Sequence, residues 1–158
     1  MMPILSTLCY IQRGGQYLML YRNAKKNDLN AGKWIGVGGK FEDGESPEDC
    51  LRREVLEETG LSLTRFAFRG IVTFVSDESP TEYMHLFTAD GFEGELTCCD
   101  EGTLAWQSMD RLEQLPMWVG DRVFLRLLAQ NAPFFSLKLV YQGSKLVQAW
   151  LNGQKMPL

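Results

Sequence analysis

The sequence predicts a fold of mixed α-helices and β-strands. Apolar runs of strand length alternate with short turns rich in glycine and polar residues, and two segments carry the signals of amphipathic helices. The chain has 158 residues, which is enough to bury a sizeable core, and it contains neither a linker-like stretch nor an internal repeat. We therefore expect one domain over residues 1–158.

Strands are predicted along most of the chain. Hairpins are expected around Arg13-Gly14-Gly15 and around Gln142-Gly143-Ser144, because a glycine-containing turn separates two apolar runs at each place. A further strand pair flanks a polar loop over residues 76–80, which indicates another hairpin. The predicted strands cover residues 4–12, 16–22, 34–37, 62–75, 82–90, 134–141 and 145–151.

Two helices are predicted. The first should begin at about Ser46, a good N-cap residue, because a proline and an acidic pair follow it and suit the first turn of a helix. Thr59-Gly60 should end this helix, since glycine readily adopts the left-handed conformation of a helix end. Its apolar residues Leu51 and Val55 should face the core. The second helix is predicted over residues 121–130 from its apolar periodicity.

Composition excludes several classes of protein. The formal net charge of −4 and the absence of a basic stripe argue against duplex nucleic acid as a partner. The four cysteines form no Cys-x-x-Cys pair and there is one histidine, so neither a zinc site nor a disulfide framework is indicated. Reduced thiols indicate a cytoplasmic protein, and because no long apolar run and no export signal occurs we expect no membrane partner. We also expect a monomer.

The first predicted helix carries the strongest functional signal. Glu54, Glu57 and Glu58 occupy positions i, i+3 and i+4, which places three carboxylates on one helix face where like charges repel. Such oxygen ligands favour Mg²⁺, or Mn²⁺, ions that share their coordination shell with substrate phosphates. A glycine-rich segment at residues 36–39 offers backbone groups that can approach an ion or a phosphate closely. A solvated helix face paired with arginines is the alternative for an acidic run alone.

The spacing over residues 39–61 decides between these alternatives. The segment reads GKFEDGESPEDCLRREVLEETGL: a glycine, five residues, a glutamate, seven residues, Arg-Glu, an aliphatic residue, any residue, Glu-Glu, any residue, a glycine and an aliphatic residue. A chance match in a chain of this length is expected on the order of 10⁻⁷ of the time. This is the pattern of the Nudix box, so the chain resembles the Nudix hydrolase superfamily. The resemblance implies an α+β fold, an α/β/α sandwich with a mixed central β-sheet.

Segments flanking the box resemble the MutT-type 8-oxo-dGTP diphosphatases of that superfamily. They are residues 32–40, 100–106 and 117–121. The resemblance implies that the metal ligands are Glu54, Glu57, Glu58, the Gly38 carbonyl and Glu101. For Glu101, an ordinary acidic loop residue is the alternative, because loops are generally polar.

The resemblance also suggests roles for other residues of the box. Arg53 is expected to fix the geometry of the neighbouring carboxylates, and Glu45 either braces the loop, orients a water or is a turn residue. Glu57 and Glu58 both remain candidates for the general base. Gly39 and Lys40 are assigned to substrate binding.

Recognition of the base is assigned to four residues. Trp118 offers a stacking surface for a purine and Asp121 a hydrogen bond to its edge, with an interior aromatic and a helix N-cap as the respective alternatives. Thr7 and Arg22 match pocket-lining positions of the enzymes that the chain resembles, Arg22 only by charge.

The implied reaction is Mg²⁺-dependent hydrolysis of a nucleoside triphosphate to the monophosphate and pyrophosphate, with 8-oxo-dGTP as the expected substrate. Ile35 and Gly120 stand where some oxidised-purine hydrolases carry an asparagine and a second acid, which changes the hydrogen bonds available to a base. One alternative is another diphosphate, such as a dinucleoside polyphosphate, a nucleotide sugar or an RNA 5′ end. The other is a non-catalytic nucleotide-binding module.

Overall fold

The computed structural model describes residues 2–158 and is built around one nine-stranded β-sheet. In chain order its elements are β1 (Ile4–Arg13), β2 (Gln16–Tyr21), β3 (Trp34–Ile35), α1 (Pro47–Thr59), β4 (Ser62–Ser76), β5 (Glu82–Glu93), β6 (Thr103–Ser108), a 3₁₀ helix (Met109–Gln114), α2 (Val119–Ala129), β7 (Phe135–Gln142), β8 (Lys145–Leu151) and β9 (Gln154–Met156).

The sheet is mixed and runs in the order β3-β2-β1-β5-β4-β7-β8-β9, with β6 also paired to β2. Two pairs are parallel, β1 with β5 and β4 with β7, and the remaining pairs are antiparallel. β1 pairs with β2 only through the residues nearest their turn, Ile11 to Arg13. Farther along, Cys9 and Val37 exchange backbone hydrogen bonds of 2.6 and 3.0 Å, so the glycine-rich segment takes the place of β2 beside β1.

Alternate residues of the central strands build two separate cores. On β1, Leu8 and Tyr10 pack with the apolar residues of α2, whereas Cys9 and Ile11 pack with those of α1. This period-two alternation is the expected signature of a strand covered on both faces. The helices therefore lie on opposite faces of the sheet, which confirms the expected α/β/α sandwich.

Most predicted elements are confirmed, and the differences have local causes. β6 and β9 were not predicted, because β6 is half-exposed and depends on β2 for its pairing, while β9 has only 3 residues. The strand expected over residues 34–37 ends at Ile35. α2 begins at Val119 after Trp118 as its N-cap residue, so the N-cap alternative for Asp121 is wrong. Between residues 2 and 158 no helix has the length and apolar character needed to cross a membrane.

Candidate active site

α1 begins and ends where the sequence predicts. The Ser46 hydroxyl accepts a hydrogen bond from the Asp49 amide at 3.0 Å, and the Asp49 carboxylate accepts one from the Ser46 amide at 3.0 Å. Gly60 ends the helix in the left-handed conformation, with φ of +80°. Leu51 and Val55 are fully buried against the sheet. These contacts fix the rotation of the helix, so its glutamates face the glycine-rich segment.

Glycine is required where this segment meets β1 and α1. The Thr7 amide donates to the Gly39 carbonyl at 2.9 Å, and the Gly38 amide donates to Glu58 Oε2 at 3.1 Å. A Cβ atom on Gly38 would overlap the Thr7 carbonyl, and one on Gly39 would overlap the Glu54 carboxylate. The loop backbone and the helix carboxylates are therefore in direct contact.

Arg53 is the centre of a hydrogen-bond network between the loop and the helix. Its Nε and Nη2 donate to the two oxygens of Glu45 at 2.7 and 2.9 Å, and Nη2 also donates to the Lys40 carbonyl at 3.0 Å. Its Nη1 donates to Glu54 at 2.8 Å and to Glu57 at 3.3 Å. The bond from Arg53, with one from a loop amide, lowers the pKa of Glu45 to about 2. One guanidinium thus orients three carboxylates.

A second group of carboxylates lies deeper in the site. Glu58 is buried, and its pKa is raised first by burial and further by the nearby carboxylates of Glu101 and Glu54. The pKa of Glu54 is also raised, again mainly by burial. Burial opposes ionisation of Glu101, but hydrogen bonds and charges from Lys25 and Arg22, at 3.2 and 3.1 Å, lower its pKa overall. The site therefore has more carboxyl groups than side-chain cations.

The three glutamates predicted to share one helix face have different environments. The side chains of Glu54 and Glu57 are 16% and 60% exposed, and the whole Glu58 residue is 7% exposed. Glu58 is held at the Gly38 amide, whereas Glu57 lies on the rim with Arg53 as its partner. The structure brings Glu54, Glu58 and Glu101 together and leaves Glu57 at the edge.

The donor set suits a hard divalent cation. Among residues 2–158, no three carboxylate, thiol or imidazole groups converge in a complete metal-binding arrangement. Glu54 and Glu101 are hydrogen-bonded to Arg53 and Arg22. The pKa of Glu58 is raised mainly by burial and further by the carboxylates of Glu101 and Glu54, and a cation bound at these oxygens would act in the opposite direction. Carboxylate oxygens beside open backbone groups are the ligand type that Mg²⁺ and Mn²⁺ prefer.

Trp118 lies inside the protein rather than on an open wall. It is 5% exposed, and its indole N–H donates to Asn30 Oδ1 at 2.8 Å. Phe74 and Tyr141 contact it edge-on, and the Lys33 ammonium lies 4.5 Å from the ring centroid. This agrees with the interior alternative for Trp118. Lys33 covers the ring face that a base would need for stacking.

Asp121 is a buried acid in the first turn of α2. Burial raises its pKa to about 7, although Arg122 and Lys33 act in the opposite direction. Its charge in turn raises the pKa values of two buried tyrosines, Tyr10 and Tyr141, for which burial is the larger cause. The Tyr141 hydroxyl accepts the Gly120 amide at 2.7 Å. The Tyr10 hydroxyl forms no hydrogen bond of good geometry within the described residues, although the nearby Gly36 backbone acts to lower its pKa.

The remaining predicted residues support the glutamate side of the site. Thr7 is buried, and its hydroxyl donates a long hydrogen bond of 3.5 Å to the Gly39 carbonyl. Arg22 joins Asp28, at 2.7 Å, to Glu101, at 3.1 Å. Lys40 is exposed and contributes its carbonyl to Arg53. In this conformation Thr7 and Arg22 therefore contact protein groups that shape the loops.

Sequence reasoning missed the part played by the loop over residues 22–33. This loop supplies Lys25 to Glu101 and both Asn30 and Lys33 to Trp118. The local sequence contains no motif that marks these contacts, because their partners lie far away along the chain. Tyr10 was also missed, and its place in an apolar strand indicates only burial.

Comparison with known proteins identifies the family of the chain. The NUDIX domain model matches residues 2–128. The oxidized purine nucleoside triphosphate hydrolase of Danio rerio is 33% identical over 144 residues, covering 90% of each chain. The mouse protein of the same name is 38% identical over 112 residues, covering 70% of this chain and 71% of its own.

A solved structure is similar over nearly the whole chain. The crystal structure of a MutT protein from Bacillus halodurans superposes with a TM-score of 0.83 at 27% identity. The superposition covers 96% of this chain and 99% of that one. The similarity therefore extends beyond the matched domain to the strands at the C-terminal end.

Proposed function

Because the chain belongs to the NUDIX domain family, we propose that it is a Mg²⁺-dependent nucleoside triphosphate pyrophosphohydrolase that acts on oxidised purine nucleotides. The proposed reaction converts 8-oxo-dGTP to 8-oxo-dGMP and pyrophosphate and so removes oxidised nucleotides from the pool. The observation that carries the proposal is the position of Glu54 and Glu58 against the glycine-rich segment, with Glu101 close enough to Glu58 to raise its pKa. The names of the Danio rerio and mouse relatives support the choice of substrate.

The carboxylates are assigned to the metal. We propose that Glu54, Glu57, Glu58, Glu101 and the Gly38 carbonyl would hold Mg²⁺, with Mn²⁺ as a substitute. When bound, the ion would neutralise charge on the phosphates and lower the pKa of a coordinated water. Electrostatics supports this need, because an anionic substrate would otherwise be repelled by the same carboxylates.

Proton transfer is assigned to a glutamate at the end of α1. Glu57 and Glu58 both remain candidates to accept the proton of the attacking water. Glu58 is held in place by the Gly38 amide, whereas Glu57 is exposed and has only Arg53 to release. Arg53 is proposed to keep the carboxylates in position, as its bonds to Glu45 and Glu54 already do here.

The base is assigned to the residues at the start of α2. Trp118 is proposed as the stacking partner once Lys33 leaves its ring, and Asp121 as the hydrogen-bonding group. Gly39 and Lys40 are proposed to contact the phosphates. We further propose that the enzyme works as a monomer in the cytoplasm, where its four free cysteines would stay reduced.

The test is a substrate panel with and without Mg²⁺. Release of pyrophosphate and of orthophosphate is measured from 8-oxo-dGTP, dGTP, the other canonical nucleotides, dinucleoside polyphosphates and ADP-ribose, and kcat/KM values are compared. We expect pyrophosphate from 8-oxo-dGTP in clear preference to dGTP, and no turnover once EDTA removes the metal.

A matched pair of variants tests the site itself. Glu57→Gln should lower kcat by about 10³-fold or more, because metal, water and carboxylates act together. Glu93→Gln removes the same charge from an exposed strand end and should leave kcat unchanged. Equal turnover of another diphosphate would rule out the oxidised-purine assignment. Binding of nucleotide without any turnover would instead indicate a non-catalytic module.

A further inference from the structure

Charge is divided very unevenly along the chain. All 20 acidic residues and 11 of the 16 basic residues lie within residues 1–121. Residues 122–158 contain the other five basic residues and no acidic residue. The formal charge is therefore −9 over residues 1–121 and +5 over residues 122–158. A net charge of −4 conceals this separation. Such asymmetry is typical of chains with a separate surface for a polyanion.

Three of these basic residues, Lys138, Lys145 and Lys155, lie on one open face of the sheet. In β7 buried residues alternate with outward ones, and the buried ones pack beneath α2. The outward residues include Ser136 and Lys138, both exposed. α1 packs mainly over β1 and β4, and no residue of β7, β8 or β9 belongs to the core beneath it, so the α1 side of these three strands remains uncovered. Antiparallel strands with one solvated face normally carry polar residues on that face.

Strand register places aromatic and basic side chains in one row across this face. Tyr83 pairs with Thr73, Thr73 with Lys138, Lys138 with Trp150, and Trp150 with Lys155. Directly paired residues share a face, so a lysine stands on each side of Trp150. Tyr83 and Trp150 are three strand spacings apart, or ~14 Å. Tyr83 is 37% exposed.

The centre of the row is a shallow cavity. It has a volume of about 350 Å³ and is lined by Thr73, Ser136, Lys138, Trp150 and Gly153. No carboxylate of residues 2–158 forms an ion pair with a lysine of this face, and no lysine or arginine lies over the Trp150 ring. The indole N–H donates to Gln148 at 3.2 Å, which fixes the ring plane.

We propose that this face, centred on Lys138, Trp150 and Lys155, binds single-stranded nucleic acid. Lysines without carboxylate partners complement the phosphates, and the half-exposed rings of Trp150 and Tyr83 offer stacking platforms for unpaired bases. Bases in a duplex are already stacked and cannot use such platforms. The surface is separate from the glutamate site and does not depend on the reaction proposed for it.

Fluorescence anisotropy measures this binding directly. The probes are two fluorescein-labelled, single-stranded 12-mers, one of thymidylate and one of uridylate. The full chain should bind both saturably at low salt, with a slope of log K against log salt of about −2 for three lysines. Trp150→Ala should weaken binding at least about tenfold, and Trp150→Phe should retain most of the affinity. Lys138→Glu should weaken binding and reduce the salt slope by about 0.7.

Arg111→Glu is the matched control, because it makes the same charge change at an exposed position of the 3₁₀ helix and should leave the affinity unchanged. Nucleotide hydrolysis and thermal unfolding of the variants should match the wild type. The proposal is overturned by the absence of saturable binding, by equal affinity for a 12-bp duplex, or by equal affinity of Trp150→Ala. If poly-glutamate displaced the labelled oligonucleotide as effectively as unlabelled oligonucleotide does, the face would be assigned to an acidic polypeptide instead.

Discussion

Arg53 binds Glu45 through two parallel hydrogen bonds, 2.7 Å from Nε to Oε2 and 2.9 Å from Nη2 to Oε1. This fork joins the loop before α1 to the helix that carries the acidic cluster. The third nitrogen of the guanidinium, Nη1, is left to hold Glu54 at 2.8 Å. Loop position and carboxylate position therefore depend on the same planar group.

Replacing Arg53 by lysine should impair catalysis more than folding. A lysine ammonium keeps the charge but cannot bond both oxygens of Glu45 and also reach Glu54. We expect kcat to fall about 10- to 100-fold, the range seen when groups that orient metal ligands are removed. Steady-state hydrolysis together with thermal unfolding measures both effects.

Arg52→Lys is the control for that change. Arg52 is exposed on the same helix, with its guanidinium 4.9 Å from the Phe66 ring centroid. Its replacement should leave kcat within about twofold of wild type, as surface changes usually do. If both variants retained full activity, the positioning role of Arg53 would be wrong.

Gly38 and Gly39 should respond differently to alanine. At Gly39 the added methyl meets the end of the flexible Glu54 side chain, which can move away, so the fold should survive while Mg²⁺-dependent turnover drops. At Gly38 it meets the Thr7 backbone, which cannot move without breaking the pairing with β1. Urea unfolding should show a loss of about 2 kcal/mol or more only for Gly38→Ala. Similar stability of the two variants would contradict this account.

Asp121 should make stability depend on pH. The ordinary pKa of an aspartate carboxyl, which applies to the unfolded chain, is 3.8, whereas burial in the folded state raises the pKa of Asp121 to about 7. Between these values the folded state binds more protons, so the free energy of unfolding falls as pH rises, by up to about 4 kcal/mol. Urea unfolding from pH 4 to pH 8 measures this slope.

Asp121→Asn should flatten that part of the pH profile and be more stable than wild type at pH 8. Asp43→Asn, in an exposed loop, should leave the profile unchanged. Because Glu58 also has a raised pKa, the difference between the Asp121→Asn and wild-type profiles, rather than either profile alone, isolates Asp121. Parallel profiles would show that the Asp121 carboxyl does not titrate in this range.

Removing the buried hydroxyls of Tyr10 and Tyr141 should change the free energy of unfolding in opposite directions. Tyr10→Phe removes a hydroxyl that forms no hydrogen bond of good geometry among the described residues, with the Gly36 backbone as a nearby polar group, and should raise the free energy of unfolding by about 1 kcal/mol. Tyr141→Phe leaves the buried Gly120 amide unpaired and should lower it by about 1 to 3 kcal/mol. Urea unfolding at one pH compares both variants with wild type. Destabilisation by Tyr10→Phe would indicate a bound water at that hydroxyl.

The sequence by itself determined the parts of this protein that depend on local spacing. Helix α1, its caps and its buried stripe follow from Ser46, Gly60, Leu51 and Val55, because capping and amphipathic periodicity involve residues only a few positions apart. The shared face of the glutamates follows from the same periodicity. The apolar run of β1, with a glycine turn after it, likewise indicated a strand that begins a hairpin.

Tertiary structure decided everything that joins distant residues. It buries Glu58 while leaving Glu57 exposed, it places Lys33 over Trp118, and it aligns Lys138 with Trp150. These contacts depend on strand register and on the path of a loop, which the hydrophobic pattern of one segment does not specify. Burial and partner charges, rather than residue type, therefore set how each glutamate of the acidic helix can act.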